Sequence, residues 1–430
     1  MNGIRCFLTI LSLSAAIHFF SGMESRACTA AVISGKATSD GRPLLWKHRD
    51  TDNLDNRLEY FVGEKYSFTG LVNSNGNSAP VIADGEREVW IGANTAGFSI
   101  MNTASYNLNY DDVPESCMDR EGILIFKALG ICKNLSDFES FLDTLGRPLG
   151  VEASFGVVDA EGGAAVYEVG NYSYVKYDAN DPSVAPRGYI VFTNFSFSGK
   201  PEDRLGYERY LTASAIFEES WEEGRKFSPD FIFNCLSRSY RNDFMGIDYC
   251  NDYIRMSEEG LCNGIVPDSD FIPRRSTSAS VIVQGTVPEG DPLQTVMWTL
   301  LGYPVCGTAI PVPVSEKDII PDYMKSSEES SNSRICDISL KLKYRHVFRF
   351  DISSGRKYLD ISRILGGKGR GNSLLSCSIS SDMKIRDIFM QAYGKYLSGN
   401  IGKDEFLRMY CHMSPDFLKI YLEEFEYFIY

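Results

Sequence analysis

Histidine is nearly absent from this chain: only His18, His48, His346 and His412 occur in 430 residues. A zinc hydrolase needs two or three histidines in a patterned cluster, and these positions form none. A papain-like Cys–His dyad could draw on only three of them, because His18 lies in an N-terminal apolar run read below as a removable leader. The eleven cysteines include no C-x-x-C spacing, which removes zinc-ribbon and thioredoxin chemistry. Walker and G-x-G-x-x-G patterns are missing too, so the glycine-rich loop Gly366–Gly371 reads as a flexible turn. No cofactor- or metal-binding pattern and no repeat of solenoid length is present. A basic surplus is also lacking: 43 Lys and Arg face 57 Asp and Glu, for a net charge of −14. Nucleic acid and anionic membranes, which need a basic face, are therefore not expected as partners. The apolar run Cys6 to Phe20 is too short for a membrane span that stays in the protein.

That run is instead the centre of a signal peptide, residues 1–27. Arg5 precedes it, the polar stretch Ser21 to Arg26 follows, and Ser25 and Ala27 supply small residues three and one positions before a cut. The expected location is secreted or periplasmic, and loss of Arg5, Arg26 and Glu24 makes the mature chain one unit more negative. Cleavage after Ala27 leaves Cys28 first, carrying both a thiol and an α-amine. An α-amine titrates near pH 8, within reach of a thiol's ordinary value, so it can take the sulfur's proton. With imidazole so scarce, this amine is the favoured base. Two other readings stay open: a lipoprotein signal, in which Cys28 is acylated and its amine blocked, and a plain buried cysteine in a first strand.

Alternation of apolar and polar residues predicts strand hairpins early in the chain. Thr29–Ser34 and Pro43–His48 flank the turn Ser39-Asp40-Gly41; Val89–Ala93 and Phe98–Thr103 flank Asn94–Gly97; Ser154–Asp159 and Ala164–Val169 flank Glu161-Gly162-Gly163. Tyr172–Tyr177 and Gly188–Thr193 continue the last hairpin, and Ser278–Gln284 and Thr295–Leu301 return to strand. Helical spacing marks Glu121–Lys133, Ser136–Leu145 with Ser136 as cap, Gly206–Glu219 and Ser228–Tyr240. The Pro-rich Tyr303–Val314 reads as an exit from the core, Leu340–Phe350 as a basic, aromatic strand, and the remainder to Tyr430 as helical. The expected fold class is α+β: a four-layer αββα sandwich of two antiparallel sheets between helix layers. Domains follow as 28–315, a Ser/Glu-rich linker at 316–335, and a C-terminal extension at 336–430 packing on the core. The remaining cysteines cannot all pair, although a bridge such as Cys250–Cys262 is possible in an exported chain.

Several local patterns share one order. They are Cys28-Thr29, Gly35-Lys-Ala-Thr-x-Asp-Gly41, Asp50, Gly92-Ala-Asn94 followed by Gly97-Phe-Ser-Ile-Met-Asn102, and Thr193-Asn194. Together they resemble the cysteine N-terminal-nucleophile hydrolases, and within them the penicillin acyltransferase-like and choloylglycine hydrolase-like linear amide C–N hydrolases. The resemblance spans about residues 28 to 315. It implies the sandwich fold, no cofactor, and cleavage of a non-peptide or small acyl amide. By position it implies Cys28 as nucleophile with its own amine as base, Asp50 holding that amine, and Lys47 where relatives often carry arginine. It further implies Asn102 and Asn194 bracketing the acyl carbonyl, and Arg204, with Arg209 as rival, as an arginine near the nucleophile. Each has a plainer competitor: a turn cap for Asp50, strand-end asparagines, solvated helix-face arginines, and for His48 a partly exposed strand end. An acyltransferase, a dipeptidase-like enzyme and an inactive exported binding protein stay open, as does a homo-oligomer. The aromatic stretches Tyr60–Phe68 and Tyr106–Tyr110 could wall an apolar acyl pocket or belong to the core.

Overall fold

The computed structural model describes residues 27–74, 87–108, 111–268, 270–349, 357–366 and 372–430. The segment ahead of Ala27 that was read as a leader, most of the Gly366–Gly371 loop and Asn109–Tyr110 lie outside the described residues. Two antiparallel sheets dominate. One is a seven-stranded meander of β3 (Asn56–Phe61), β4 (Phe68–Asn73), β5 (Ile91–Asn94), β6 (Ser99–Ala104), β7 (Ala153–Val158), β8 (Ala164–Val169) and β9 (Tyr174–Asp178) in chain order. The other has six strands in the order β10 (Tyr189–Phe192), β1 (Thr29–Ile33), β2 (Leu44–Asp50), β11 (Thr277–Gln284), β12 (Val296–Leu301) and β13 (Ile310–Pro313).

The strands β1, β2, β7, β8 and β11 are buried along their whole length, which requires cover on both faces of each sheet. Along β8, Ala164 and Val166 enter the cluster between the sheets while Ala165, Tyr167 and Val169 enter a second one beneath the helices. Helix α1 (Glu121–Ile131) packs on β5 and β6, and α3 (Tyr207–Glu222) packs on β10 and β1, so helices close the two outer faces. The αββα sandwich is thus realised. The sheets come close at Gly156, where an added Cβ would lie 2.8 Å from Leu45 Cδ1 and 3.0 Å from Val32 Cγ2.

The hairpins form as the alternation predicts. Strands β3 and β4 do not follow from that reading: Phe61 and Phe68 stack at 5.0 Å and both meet Phe126 edge-on, so of this aromatic stretch Phe68 is core and Phe61 packs half-buried against it, while Tyr60 and Tyr66 are half-buried. Strand β10 leaves the meander and pairs with β1, Ala30 opposite Phe192. Helix α2 (Leu135–Thr144) is capped by Asn134, whose side chain accepts from Asp137 N, and not by Ser136, which lies inside it. The Ser228–Tyr240 helix is one α turn followed by a π-helical stretch, Ile232–Ser237. The Pro-rich exit contains edge strand β13, where missing N–H groups of Pro311 and Pro313 are tolerated. Cys250 and Cys262 are free thiols, not a bridge.

The segment read as a linker is packed, with Ile320, Tyr323 and Met324 buried and Ser333 Oγ donating to Asn56 O at 2.7 Å. Beyond it the basic, aromatic stretch is helical, not a strand: α4 (Arg334–Leu342) runs into a π-helical turn, Lys343–Val347. Helices α5 (Leu374–Leu397) and α6 (Lys403–Glu424) then lie on the β12–β13 end of the six-stranded sheet. Tyr421 Oη donates to Cys306 O at 2.6 Å, Tyr410 Oη to Pro311 O at 2.9 Å, and Ser378 Oγ to Gly307 O at 2.6 Å. Among the described residues no helix is long and apolar enough to cross a membrane.

Candidate active site

Antiparallel order brings alternate strand ends to one place, and Cys28 sits there. It immediately precedes β1, whose Thr29 and Ala30 lie opposite His48 and Lys47 of β2. The C-terminal end of β2 faces the start of β11, Asp50 opposite Thr277, and the end of β10 leads into Thr193-Asn194 on the other side. From the second sheet, the last residues of β6 close over the same end. Cys28 is 7% exposed, while Lys47, Asp50, Asn102, Asn194 and Arg209 are buried around it.

Lys47 Nζ donates to the carbonyl of Asn102 and, at 2.9 Å, to its Oδ1. Burial pushes the lysine down to about 8, Arg49 adds to the fall, and the negative charge of the Cys28 thiolate works against it. Arg209 Nη1 donates to Cys28 O at 2.6 Å and to Thr29 Oγ1 at 3.0 Å, and its Nη2 donates to Asn194 Oδ1 at 3.1 Å. Burial lowers this guanidinium to about 10, where it stays charged at neutral pH. Lysine and arginine have only donors, so the atoms they meet on Asn102 and Asn194 must be carbonyl oxygens. That fixes both amide orientations. Asn194 Nδ2 gives one hydrogen to Ala104 O at 2.9 Å and has a second, while Nδ2 is the part of Asn102 that remains to donate.

Asp50 is held by groups that the sequence reading did not single out. Arg274 Nε donates to Oδ2 at 2.8 Å and Thr277 Oγ1 donates to Oδ1 at 2.7 Å. Arg274 also reaches the carbonyl of Ala27 from Nη2 at 3.2 Å, linking Asp50 to the peptide group that precedes Cys28. Burial would lower the Arg274 guanidinium, but Asp50 and Asp270 outweigh it and raise it. The available signal was the pair Arg274-Arg275 directly before an apolar strand run that must pair with β2.

Among the residues expected here, Cys28, Lys47, Asp50, Asn102 and Asn194 meet at one end of the sandwich. Arg204 does not: it is exposed, 5.6 Å from the Phe195 and Tyr207 ring centres, and Arg209 occupies the position expected of it. The cause is local. Gly206 caps α3 in a left-handed conformation, φ 82°, and its carbonyl accepts from Thr193 Oγ1, which turns the first helical turn inward at Arg209. Arg49 points between the sheets to Asn56 and Asn73. His48 is fully buried, not partly exposed, and burial pushes it down to about 4, so it is neutral at pH 7. Thr277 gives its one proton to Asp50, so His48 Nε2, 3.2 Å from Thr277 Oγ1, carries the hydrogen between them.

No protein-family model and no curated protein matches the sequence. Among solved structures, the chain is similar to an N-acylethanolamine-hydrolyzing acid amidase ortholog from Caenorhabditis elegans, at 16% identity over 61% of this chain and 93% of that one, TM-score 0.39. It is similar to penicillin V acylase from Agrobacterium tumefaciens at 12% identity, over 68% and 87% of the two chains, TM-score 0.35. It is also similar to conjugated bile acid hydrolase from Clostridium perfringens at 11% identity, over 64% and 89%, TM-score 0.34.

Proposed function

We propose that the mature protein is an exported cysteine amidase that hydrolyses a linear amide C–N bond through a thioester on Cys28. The observation that carries this reading is the convergence on one buried cysteine of two cations, two oriented carboxamides and a bonded carboxylate, at the point where a leader would be cut. While Ala27 is attached, Cys28 N is a peptide nitrogen and no base. Cleavage converts it to an amine and takes away the Ala27 carbonyl that Arg274 Nη2 holds, leaving Arg274 bonded to Asp50 through Nε.

The amine takes the thiol proton, and Lys47 and Arg209 favour the resulting thiolate. Sulfur attacks the amide carbon, and the negative oxygen is held by the second Asn194 hydrogen or by Asn102 Nδ2. One such donor contributes about 3 kcal/mol to the transition state. The C–N bond then breaks, its nitrogen taking the proton from the Cys28 ammonium. Water attacks the thioester and gives its proton to the amine; the S–C bond breaks, the acid leaves and the thiol is restored. An exported enzyme meets little acyl-coenzyme A, which favours water over a second amine as acceptor.

N-terminal sequencing of active protein recovered after export tests the premise, with Cys28 expected as the first residue. Active material that begins elsewhere, or carries an acylated Cys28, overturns it. Cys28→Ser is expected to lower turnover of any amide substrate about 10³-fold or more.

A further inference from the structure

Strand β11 begins irregularly. Its register against β2 shifts between Thr277, opposite Asp50, and Ala279, opposite Arg49, so one extra residue stands on the β11 side. This bulge lies where two groups are aimed at one carboxylate: Thr277 Oγ1 meets Asp50 Oδ1 at 2.7 Å and Arg274 Nε meets Oδ2 at 2.8 Å. Both contacts are independent of the Ala27 carbonyl and outlast its removal.

The carbonyls at such a start need donors. Ser276 O accepts from Thr51 N at 2.9 Å, while Arg275 O and Thr277 O accept from Lys343 Nζ at 2.5 and 3.0 Å. Lys343 comes from the C-terminal region, 66 residues beyond Thr277. The helix that delivers it is fixed to the core by Ser333 Oγ, which donates to Asn56 O, and by Ser339 Oγ, which accepts from Tyr303 N at 2.8 Å.

Lys343 is fully buried, which is costly for an ammonium. Burial pushes it down to about 7, against the pull of Cys306, Asp50, Asp268 and Cys336. The rings of Tyr303, Tyr344 and Phe348, centred 5.1, 5.6 and 5.8 Å from Nζ, offset part of that cost. A methionine would fill similar space without burying a charge, so packing alone does not account for the lysine. Charged or neutral, its nitrogen carries the two hydrogens that two carbonyls require.

We propose that Lys343 is a positioning residue for the chemistry at Cys28: it holds the bulged start of β11, and the bulge sets Asp50 against the α-amine of mature Cys28. Residues beyond 315 thereby frame the active site. The hold on the turn stands on these contacts; its effect on Cys28 rests on the amidase reading, and two measurements separate the two.

The first is hydrogen exchange of the mature protein, read by mass spectrometry. In Lys343→Met, peptides covering 268–280 and 46–55 are expected to exchange at least about tenfold faster, with 153–169 in the other sheet unchanged. No change at 268–280, or the same acceleration everywhere, overturns the proposal. If Lys343→Met does not fold by circular dichroism, Lys343→Gln, too short to reach both carbonyls, takes its place with the same outcomes.

The second is the rate of Cys28 alkylation by iodoacetamide at pH 7.5, followed on the N-terminal peptide. Asp50→Asn leaves the amine a poorer acceptor for the thiol proton and is expected to lower the rate at least about fivefold. Lys343→Met should lower it too, and the double variant should match Asp50→Asn within about twofold, since one residue acts through the other. Multiplying effects, or an unchanged rate in Lys343→Met while Asp50→Asn slows, overturns the proposal. Faster exchange at 268–280 with no effect of Asp50→Asn on Cys28 leaves the hold on the turn standing and counts against the amine-base mechanism.

Discussion

Lys47 carries a charge that costs free energy to bury, and its depressed value sets a pH limit. Below about pH 8 Lys47 is an ammonium that favours negative charge on Cys28; above it the proton leaves and that support is lost. Activity is therefore expected to fall on the alkaline side with a midpoint near pH 8. Lys47→Arg should move that limb upward and Lys47→Met should lower kcat/KM about 10²-fold, read from pH–rate profiles. Asp268 gives a second test, on stability. Its folded value is raised from 3.8 to about 6, so the folded chain holds that proton more tightly, and stability is lost as pH rises through this window. Asp268→Asn should then be more stable than the parent at pH 7.5, by about 2 kcal/mol, with the gap closing near pH 4. Urea melts at the two pH values measure it.

Among the elements, the first turn of α3 decides which arginine reaches Cys28. A Cβ at Gly206 would stand 2.1 Å from Arg209 Nη2 on a backbone already at φ 82°. Gly206→Ala is expected to cost about 1–2 kcal/mol in backbone strain and to lower kcat by displacing the guanidinium. Arg209→Ala should cost more, because Cys28 O, Thr29 Oγ1 and Asn194 Oδ1 all lose a donor, whereas Arg204→Ala should leave kcat/KM within about twofold. The second decisive element is the π-helical turn after α4. Its buried Lys343 donates to the carbonyls of Arg275 and, at 3.0 Å, Thr277, and so holds the turn that positions Asp50. The sequence marks this stretch as basic and aromatic, a pattern that suits a strand. It is helical because Val347 and Phe348 pack in the core while Lys343 caps carbonyls at the start of β11.

Across the whole molecule, one core runs from the space between the sheets through the six-stranded sheet into the C-terminal helices, including Tyr393, Tyr410, Phe417 and Tyr421. A chain ending at residue 315 would expose the outer face of β12 and β13 and lose the Tyr410 and Tyr421 contacts. Such a truncation is expected to be insoluble or to melt without a cooperative transition, as circular dichroism would show. The charge of −14 does not oppose this packing, since pairs such as Arg238 with Asp382 at 2.7 Å tie the extension to the core.

The chain's own order of residues determined the hairpins, the layered class and the gathering of Cys28, Lys47 and Asp50. Strand alternation and tight turns are set by near neighbours, and antiparallel pairing then fixes which strand ends meet. Tertiary structure alone decided that Arg209 and not Arg204 faces Cys28, that Arg274 and Thr277 hold Asp50, and that residues 316 onward share the core. Those contacts join positions far apart in the chain, where burial and the pairing of isolated charges select partners that local periodicity does not encode.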